Sequence, residues 1–214
     1  MALLVNEIFY SIQGESLYSG LPCTFVRLTG CNLRCTYCDT IYAYSEGTEI
    51  EIGSLVKKIS DFGCSLVEIT GGEPLIQDQS PALIEKLLDN EFTVLLETNG
   101  SIDISCVDKR CIKILDIKCP TSGESEKNNL ANLNRLDKKD QIKFVIGNRY
   151  DYEFAKKIVK QIPTTFFREN ILFSPVNSIL ELSELAQWIL EDKLKVRFHL
   201  QLHKIIWPDT IRGV

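Results

Sequence analysis

The sequence predicts an α/β fold, an incomplete (β/α) barrel of about six parallel strands with reduced helices, short of the eight of a full barrel. Three observations predict it. Short apolar runs alternate with amphipathic stretches along the chain, and parallel neighbours need such crossovers. The 214 residues fall short of the roughly 250 of an eight-fold barrel. The unusual residues gather just after the strands, where parallel α/β folds build their sites.

The elements follow in order. Cys23–Leu28 (CTFVRL) reads as the first barrel strand and feeds a cysteine turn. Ile52, Leu55, Val56 and Ile59 recur at helical spacing. Leu66–Ile69 is a strand ending in TGGEP. Ser80 is the expected N-cap, with Pro81 at the first helical position before Ile84, Leu87 and Leu88. Phe92–Leu96 is a strand ending in ETNG, and Ile112–Ile117 and Ile142–Ile146 are two more. Phe154, Ala155, Ile158 and Val159 place a helix before a strand at Ile171–Phe173. Ile179, Leu182, Leu185, Ala186 and Ile189 mark another helix, and Val196–Leu200 a final strand. Thr121–Lys139 is polar, with Asn128, Asn129, Asn132 and Asn134, and reads as a loop or weak helix. No repeat or linker divides residues 1–214, so one domain is expected.

Composition narrows the function classes. A hydrophobic content of 44% with 25% charged residues matches a water-soluble globular chain. The net charge of −5 supplies no field for nucleic acid. No apolar run reaches the length of about 18 residues that a membrane span needs. MALLVNEIFYSIQGES lacks the basic region and cleavage site of a signal peptide. The expected location is the cytoplasm, with neither membrane nor nucleic acid as partner. There, eight cysteines read as metal ligands and buried thiols rather than disulfides.

Cys31, Cys35 and Cys38 carry the strongest chemical signal. They stand in TGCNLRCTYCDT, spaced C-x₃-C-x₂-C. Structural zinc usually takes four ligands, whereas iron–sulfur clusters are held by cysteine thiolates. A four-iron cubane on three cysteines leaves one iron open to a non-protein ligand. A zinc site completed by a distant fourth ligand, or buried structural thiols, are the competing readings. Cys23, Cys64, Cys106, Cys111 and Cys119 are widely and irregularly spaced and read as small buried residues. His199 and His203 are assigned no chemistry. Arg27, near the end of an apolar strand, needs an anionic partner if buried: a ligand carboxylate or an internal acidic residue.

CNLRCTYCDT followed by TGGEP resembles the radical S-adenosylmethionine (SAM) superfamily. FYSIQGES and QLHK resemble, within it, the ring-contracting family of 7-deazapurine and queuosine biosynthesis. The resemblance runs from about Asn6 to the C-terminus. It implies a partial barrel of the radical SAM type, with Cys31, Cys35 and Cys38 holding a [4Fe-4S] cluster whose open iron binds SAM. Tyr37, Cys38 and Asp39 would lie on the adenine side of SAM, and Gly72 at its methionine amino group. Asp116, Ile117 and Lys118, with Ser174, Pro175, Val176 and Asn177, would line the rest. Glycines at 71 and 72 would let backbone approach that ligand.

For the substrate, the resemblance implies that Ile12, Gln13, Gly14 and Glu15 clasp a pterin, with Arg27 and Thr70 as further contacts and Thr40 as a Mg²⁺ ligand. Gln13 offers donor and acceptor, and Glu15 an acceptor for ring N–H groups. The implied activity is a carbon–nitrogen lyase one, converting 6-carboxy-5,6,7,8-tetrahydropterin into 7-carboxy-7-deazaguanine with loss of ammonia. A flavodoxin or ferredoxin would supply the electron, and relatives are homodimers. The alternatives are a radical SAM enzyme that makes a glycyl radical on a partner protein, and a non-enzymatic iron–sulfur or zinc module. Ser16 departs from the family pattern, where many relatives carry glycine.

Overall fold

The computed structural model describes residues 1–210 and 212–214. Its frame is a single sheet of strands β1 (Ala2–Ile12), β2 (Pro22–Leu28), β3 (Thr48–Glu51), β4 (Leu66–Gly71), β5 (Thr93–Thr98), β6 (Ile112–Ile117), β7 (Gln141–Ile146), β8 (Ile171–Pro175) and β9 (Arg197–Phe198). They lie in the order β3-β1-β2-β4-β5-β6-β7-β8-β9. From β2 to β9 every pairing is parallel. Helices α1 (Ile52–Ser60), α2 (Ser80–Asp89), α3 (Arg149–Val159) and α4 (Leu182–Glu191) intervene, and a short α5 (Leu202–Ile206) follows. The sheet is mostly parallel and does not close into a barrel.

Strand alternation separates two cores. Val26 and Leu28, Val67 and Ile69, Val94 and Leu96, and Ile142 and Phe144 join the helices in the larger core. The opposite face packs a smaller cluster of Cys23, Phe25, Leu66, Leu95, Ile112 and Ile114. Farther along the same strands this inner face turns polar, with Arg27, Thr70, Glu97, Asp116 and Lys143 lining a cavity. The apolar half fills the barrel, and the polar half makes a mouth.

The sequence reading needs four adjustments. Of the five cysteines read as buried, Cys23, Cys111 and Cys119 are, while Cys64 is partly buried and Cys106, on its short turn, is exposed. The first barrel strand is preceded by β1, which runs antiparallel to both β2 and β3. Its register slips between Val5 and Glu7, which breaks the period of two that would have marked it. Ser80 is not the N-cap: Gln79 holds that position. Ser80 is the first helical residue, and its buried hydroxyl donates to the Pro74 carbonyl at 2.6 Å. The last strand shrinks from five residues to Arg197 and Phe198.

Thr121–Lys139 resolves into 3₁₀ turns, including Ser125–Lys127 and Leu130–Arg135. Its asparagines replace a backbone ladder. Asn128 accepts from the Lys118 amide (2.9 Å) and donates to the Lys118 carbonyl (2.8 Å). Asn132, fully buried, donates to the carbonyls of Gly100 and Ile102.

Candidate active site

The cavity at the carboxyl ends of the strands has a volume of about 370 Å³. Cys31, Cys35 and Cys38 line one side of it. All three are free thiols and partly buried. Burial pushes the Cys35 thiol up to about 11 and raises that of Cys31. The Leu33 amide donates to Cys31 Sγ at 3.4 Å, and Asn99 Nδ2 approaches the same sulfur at 4.0 Å. Arg34, between the first two cysteines, lies over the Tyr44 ring at 4.2 Å.

This donor set fits a cluster better than a single ion. Among the described residues, no three His, Cys, Asp or Glu side chains converge tightly enough to chelate one metal. Tetrahedral zinc at a Zn–S distance of about 2.3 Å would need such convergence. A cubane needs each thiolate on its own iron, so three separated sulfurs on one cavity wall suit it.

The TGGEP loop is welded to that wall. A Cβ on Gly72 would run into the Gly30 carbonyl and lie 2.7 Å from Cys31 Cβ. Gly71, at φ +150°, would clash with Leu28 backbone. These glycines are therefore required by the chain's own backbone, a reason independent of any ligand. Glu73 is fully buried and accepts from the Leu75 amide, the Thr98 hydroxyl and the Asn99 amide at 3.0, 2.8 and 2.6 Å. It ties TGGEP to ETNG. Burial raises its carboxyl, although these three bonds oppose the shift.

Across the cavity, the strand ends carry charge. Lys118 donates to Asp116 Oδ2 at 2.9 Å. Asp116 Oδ1, the Tyr37 hydroxyl and Ser174 Oγ are buried without hydrogen-bond partners. Such orphaned groups cost about 1–3 kcal/mol each unless a ligand meets them. Of these, Asp116 and Tyr37 line the cavity and fit a ligand rich in hydroxyl and amino groups, as SAM is, whereas Ser174 is buried behind the wall. Val176 and Asn177 line the cavity with Asp116, Lys118, Tyr37 and Asp39, whereas Ile117, Ser174 and Pro175 do not. Ile117 belongs to the larger core.

The deepest part holds a buried ion network. Lys143 Nζ donates to Glu15 Oε2 at 2.8 Å and to Glu97 Oε1, and lies 3.4 Å from Asp116 Oδ2. Burial opposes its charge, but Glu15, Glu97 and Asp116 hold its pKa well above the ordinary lysine value. Burial would raise the Glu15 carboxyl, yet Lys143 and then His203, with a hydrogen bond from Gln201, hold it well below the carboxylate range. Thr70 donates to Glu97 at 3.2 Å. Gln13 accepts from the Glu15 amide at 3.0 Å and donates to Glu68 at 2.5 Å. Ile12 and Gly14 line the same region. Arg27 found the internal partner: its Nε donates to Glu7 at 2.7 Å, while the residue still lines the cavity. Thr40 lines it too, its hydroxyl 3.7 Å from Cys38 Sγ.

A C-terminal segment caps this mouth. Gln201 donates to Glu15 at 2.7 Å, Lys204 pairs with Asp39 at 2.5 Å, and the Leu202 amide donates to the Gly14 carbonyl at 2.9 Å. His203 packs so closely on Gly14 that a Cβ there would strike its ring. Burial lowers the His203 pKa. His199 Nε2 donates to the Ser16 carbonyl at 2.8 Å. Ser16 adopts φ +65°, the left-handed region that favours glycine. The departure noted in the sequence thus falls on a turn where glycine would fit without strain.

Glu68, Glu97 and Lys143 line the cavity and were not singled out from sequence, while Gln201, His203 and Lys204, which line it too, fall in the QLHK segment that was read as a resemblance and given no chemistry. A charged residue within an apolar strand run (VEIT, LLET, IKFV) was the available signal.

Known proteins resemble this chain in sequence and in fold. Residues 25–120 match the family model of the radical SAM superfamily. The chain is 42% identical to the 7-carboxy-7-deazaguanine synthase of Koribacter versatilis, over 98% of this chain and 99% of that protein. It is 44% identical to the protein of the same name from Chlorobaculum tepidum, over 99% and 97%. In fold it is similar to the crystal structure of QueE from Escherichia coli, with a TM-score of 0.72, 21% identity, and coverage of 94% and 95%.

Proposed function

The chain belongs to the 7-carboxy-7-deazaguanine synthase family of radical SAM enzymes, and from that premise we propose how its cavity serves the reaction. The protein is a radical SAM ring-contracting enzyme of 7-deazapurine biosynthesis. Its substrate is 6-carboxy-5,6,7,8-tetrahydropterin, and its product 7-carboxy-7-deazaguanine, formed with loss of ammonia as a carbon–nitrogen lyase reaction. The observation that carries this reading is the meeting of the cysteine turn, TGGEP and SIQGES at one capped cavity of about 370 Å³, a size for small molecules. A partner protein's glycine loop would need an open groove instead.

Cys31, Cys35 and Cys38 would hold the [4Fe-4S] cluster, with SAM between it, Gly72 and the Asp116–Lys118 and Val176–Asn177 strand ends. A cluster held there would supply the one electron for reductive cleavage of SAM, the chemistry that starts hydrogen abstraction from the substrate. The chain's own residues bind and orient. Gln13 and Glu15 clasp the pterin ring from the loop after β1. Lys143 keeps its proton and offsets the carboxylates around it. Arg27, held by Glu7 through Nε, offers its remaining N–H donors to the substrate carboxylate. Thr70 is a further substrate contact. Thr40 lines the cavity, its hydroxyl beside Cys38, and would supply one oxygen to a Mg²⁺ ion, a cation that takes oxygen ligands. The segment from Gln201 to Lys204 keeps bulk water out. A flavodoxin- or ferredoxin-type donor supplies the electron, and the working form is a cytoplasmic homodimer.

The test is anaerobic reconstitution with iron and sulfide, reduction, and addition of SAM, Mg²⁺ and the carboxytetrahydropterin. The expected result is about four irons per chain, as a cubane requires, and formation of 7-carboxy-7-deazaguanine. Reconstituted, reduced protein that leaves the pterin untouched overturns the reading.

A further inference from the structure

Glu68 is the misfit of the inner face. It stands opposite Phe25 of β2 and Leu95 of β5, both members of the small apolar cluster. Every other charged side chain at this depth has an opposite charge: Lys143 serves Glu15, Glu97 and Asp116. Glu68 has none. Its Oε2 accepts from the neutral Gln13 amide at 2.5 Å, and among the described residues its Oε1 has no hydrogen-bond partner. The side chain is 4% exposed, yet it lines the cavity.

Gln13 is held at both ends. The Glu15 amide requires its Oε1 as acceptor, so Nε2 must face Glu68. Gln13 thereby fixes the Glu68 carboxyl through Oε2, in a residue that lines the cavity. A carboxyl so presented, with no cation to satisfy it, matches two adjacent N–H donors on a flat ring. The amidine-like edge of a 2-amino-4-oxo heterocycle, its ring N–H beside the exocyclic amine, is such a pair.

We propose that Glu68 is a specificity-determining contact that reads this amidine-like edge of the bound pterin, with Gln13 as its positioning residue. The inference rests on the pterin reading given above and deepens it. It also carries a proton balance. In the empty cavity, burial first, and then repulsion from Glu97 and Glu15, push the Glu68 carboxyl up to about 8, against the opposing pull of Gln13 and Lys143. It is therefore neutral at pH 7. Pairing with two N–H donors favours the carboxylate, so ligand binding transfers the Glu68 proton to solvent. The other titratable groups facing it are Glu15 from the loop after β1, Cys23 from β2, Glu97 from β5 and Lys143 from β7. Glu15 is already ionised, Lys143 stays charged, and burial keeps the Cys23 thiol protonated. None of these three supplies that proton.

The experiment is calorimetry of reconstituted, SAM-loaded holoenzyme with 6-carboxypterin, whose oxidised ring has no C6 hydrogen to lose. Titrations at pH 7 in buffers of different ionisation enthalpy count the protons released. The expected result is close to one proton released per wild-type site. Glu68→Gln should release about one fewer and bind about 10- to 100-fold more weakly, as for a lost charged hydrogen bond. Equal proton counts and affinities in the two proteins overturn the proposal while leaving the pterin reading intact. If Glu68→Gln does not fold, the wild-type count decides alone, and a count near zero overturns it. A wild-type enzyme that fails to bind the pterin overturns both readings.

Discussion

Two buried ion networks sit in neighbouring strands and have opposite characters. At the amino-terminal end of β6 and β7, Asp140 accepts the amides of Lys113 and Asp137 at 2.8 Å each and pairs with Lys113 Nζ at 3.2 Å. Both side chains are sealed from solvent, and both Asp140 oxygens are used. Toward the mouth, Lys143 gathers Glu15, Glu97 and Asp116, while Asp116 Oδ1 goes unmatched and Glu68 has no cation. The first network is closed and holds loop to strand. The second is open and finishes its bonding only with a ligand. The two lysines are equally buried, but Glu15 and Glu97 open to the cavity while Asp140 is sealed, so the unfinished bonding lies on the carboxylate side that a ligand can reach.

The comparison breaks most visibly at Lys143. Lys143→Met should lower kcat/KM by about 100- to 1,000-fold, the scale of a lost preorganised charge, while iron content stays unchanged. A near-normal kcat/KM would mean that the open network is scaffold after all. At the closed network the effect moves to stability. Asp140→Ala should cost about 3–5 kcal/mol, the scale of a broken buried pair, read from denaturant midpoints. Lys113→Met should cost less, because two backbone amides still satisfy Asp140. Equal costs would show that the ion pair, not the amides, carries the interaction.

Titration sharpens the contrast further. Glu15 has a depressed pKa, so its contribution to stability is full above the unfolded value of about 4.3 and is lost as pH falls toward its folded value. Glu68 is raised to about 8, so stability is highest below about 4.3 and declines as pH rises to about 8. Thermal melts between pH 4 and 8 should therefore slope less steeply downward in Glu68→Gln than in wild type. An unchanged slope would contradict the raised carboxyl. The smallest effect is at the cap: the Lys204–Asp39 pair is about half exposed on the aspartate side. Lys204→Ala should change stability by no more than about 1 kcal/mol and raise KM a few-fold; a large loss of kcat would give Lys204 a greater part than latching the cap.

Much of the helix-facing core was legible in sequence, and little of the inner face was. IKILDI appears over the expected Ile112–Ile117, because both of its faces are buried. The cysteine turn, TGGEP and SIQGES were readable as motifs, and they do meet. Glu68, Glu97 and Lys143 were not readable: a polar residue alternating with apolar ones usually faces water. In an incomplete barrel that polar face turns inward, and only curvature reveals it. β1 escaped because its bulge disrupts the alternation. The backbone reason for glycine at 72 was not legible, since the carbonyl it packs against, that of Gly30, lies forty-two positions back in the chain.

The strand order carries a temporal consequence. From β2 onward, each strand pairs with the next parallel strand in sequence, so the sheet can grow in the direction of synthesis. The cysteine turn, at residues 31–38, is in place early. The contacts that shut the mouth, from His199, Gln201 and Leu202 back to residues 14–16, form among the last. The mouth therefore cannot be completed until residues 199–202 have been made, so any chain truncated before them keeps the cysteine turn and loses the cap.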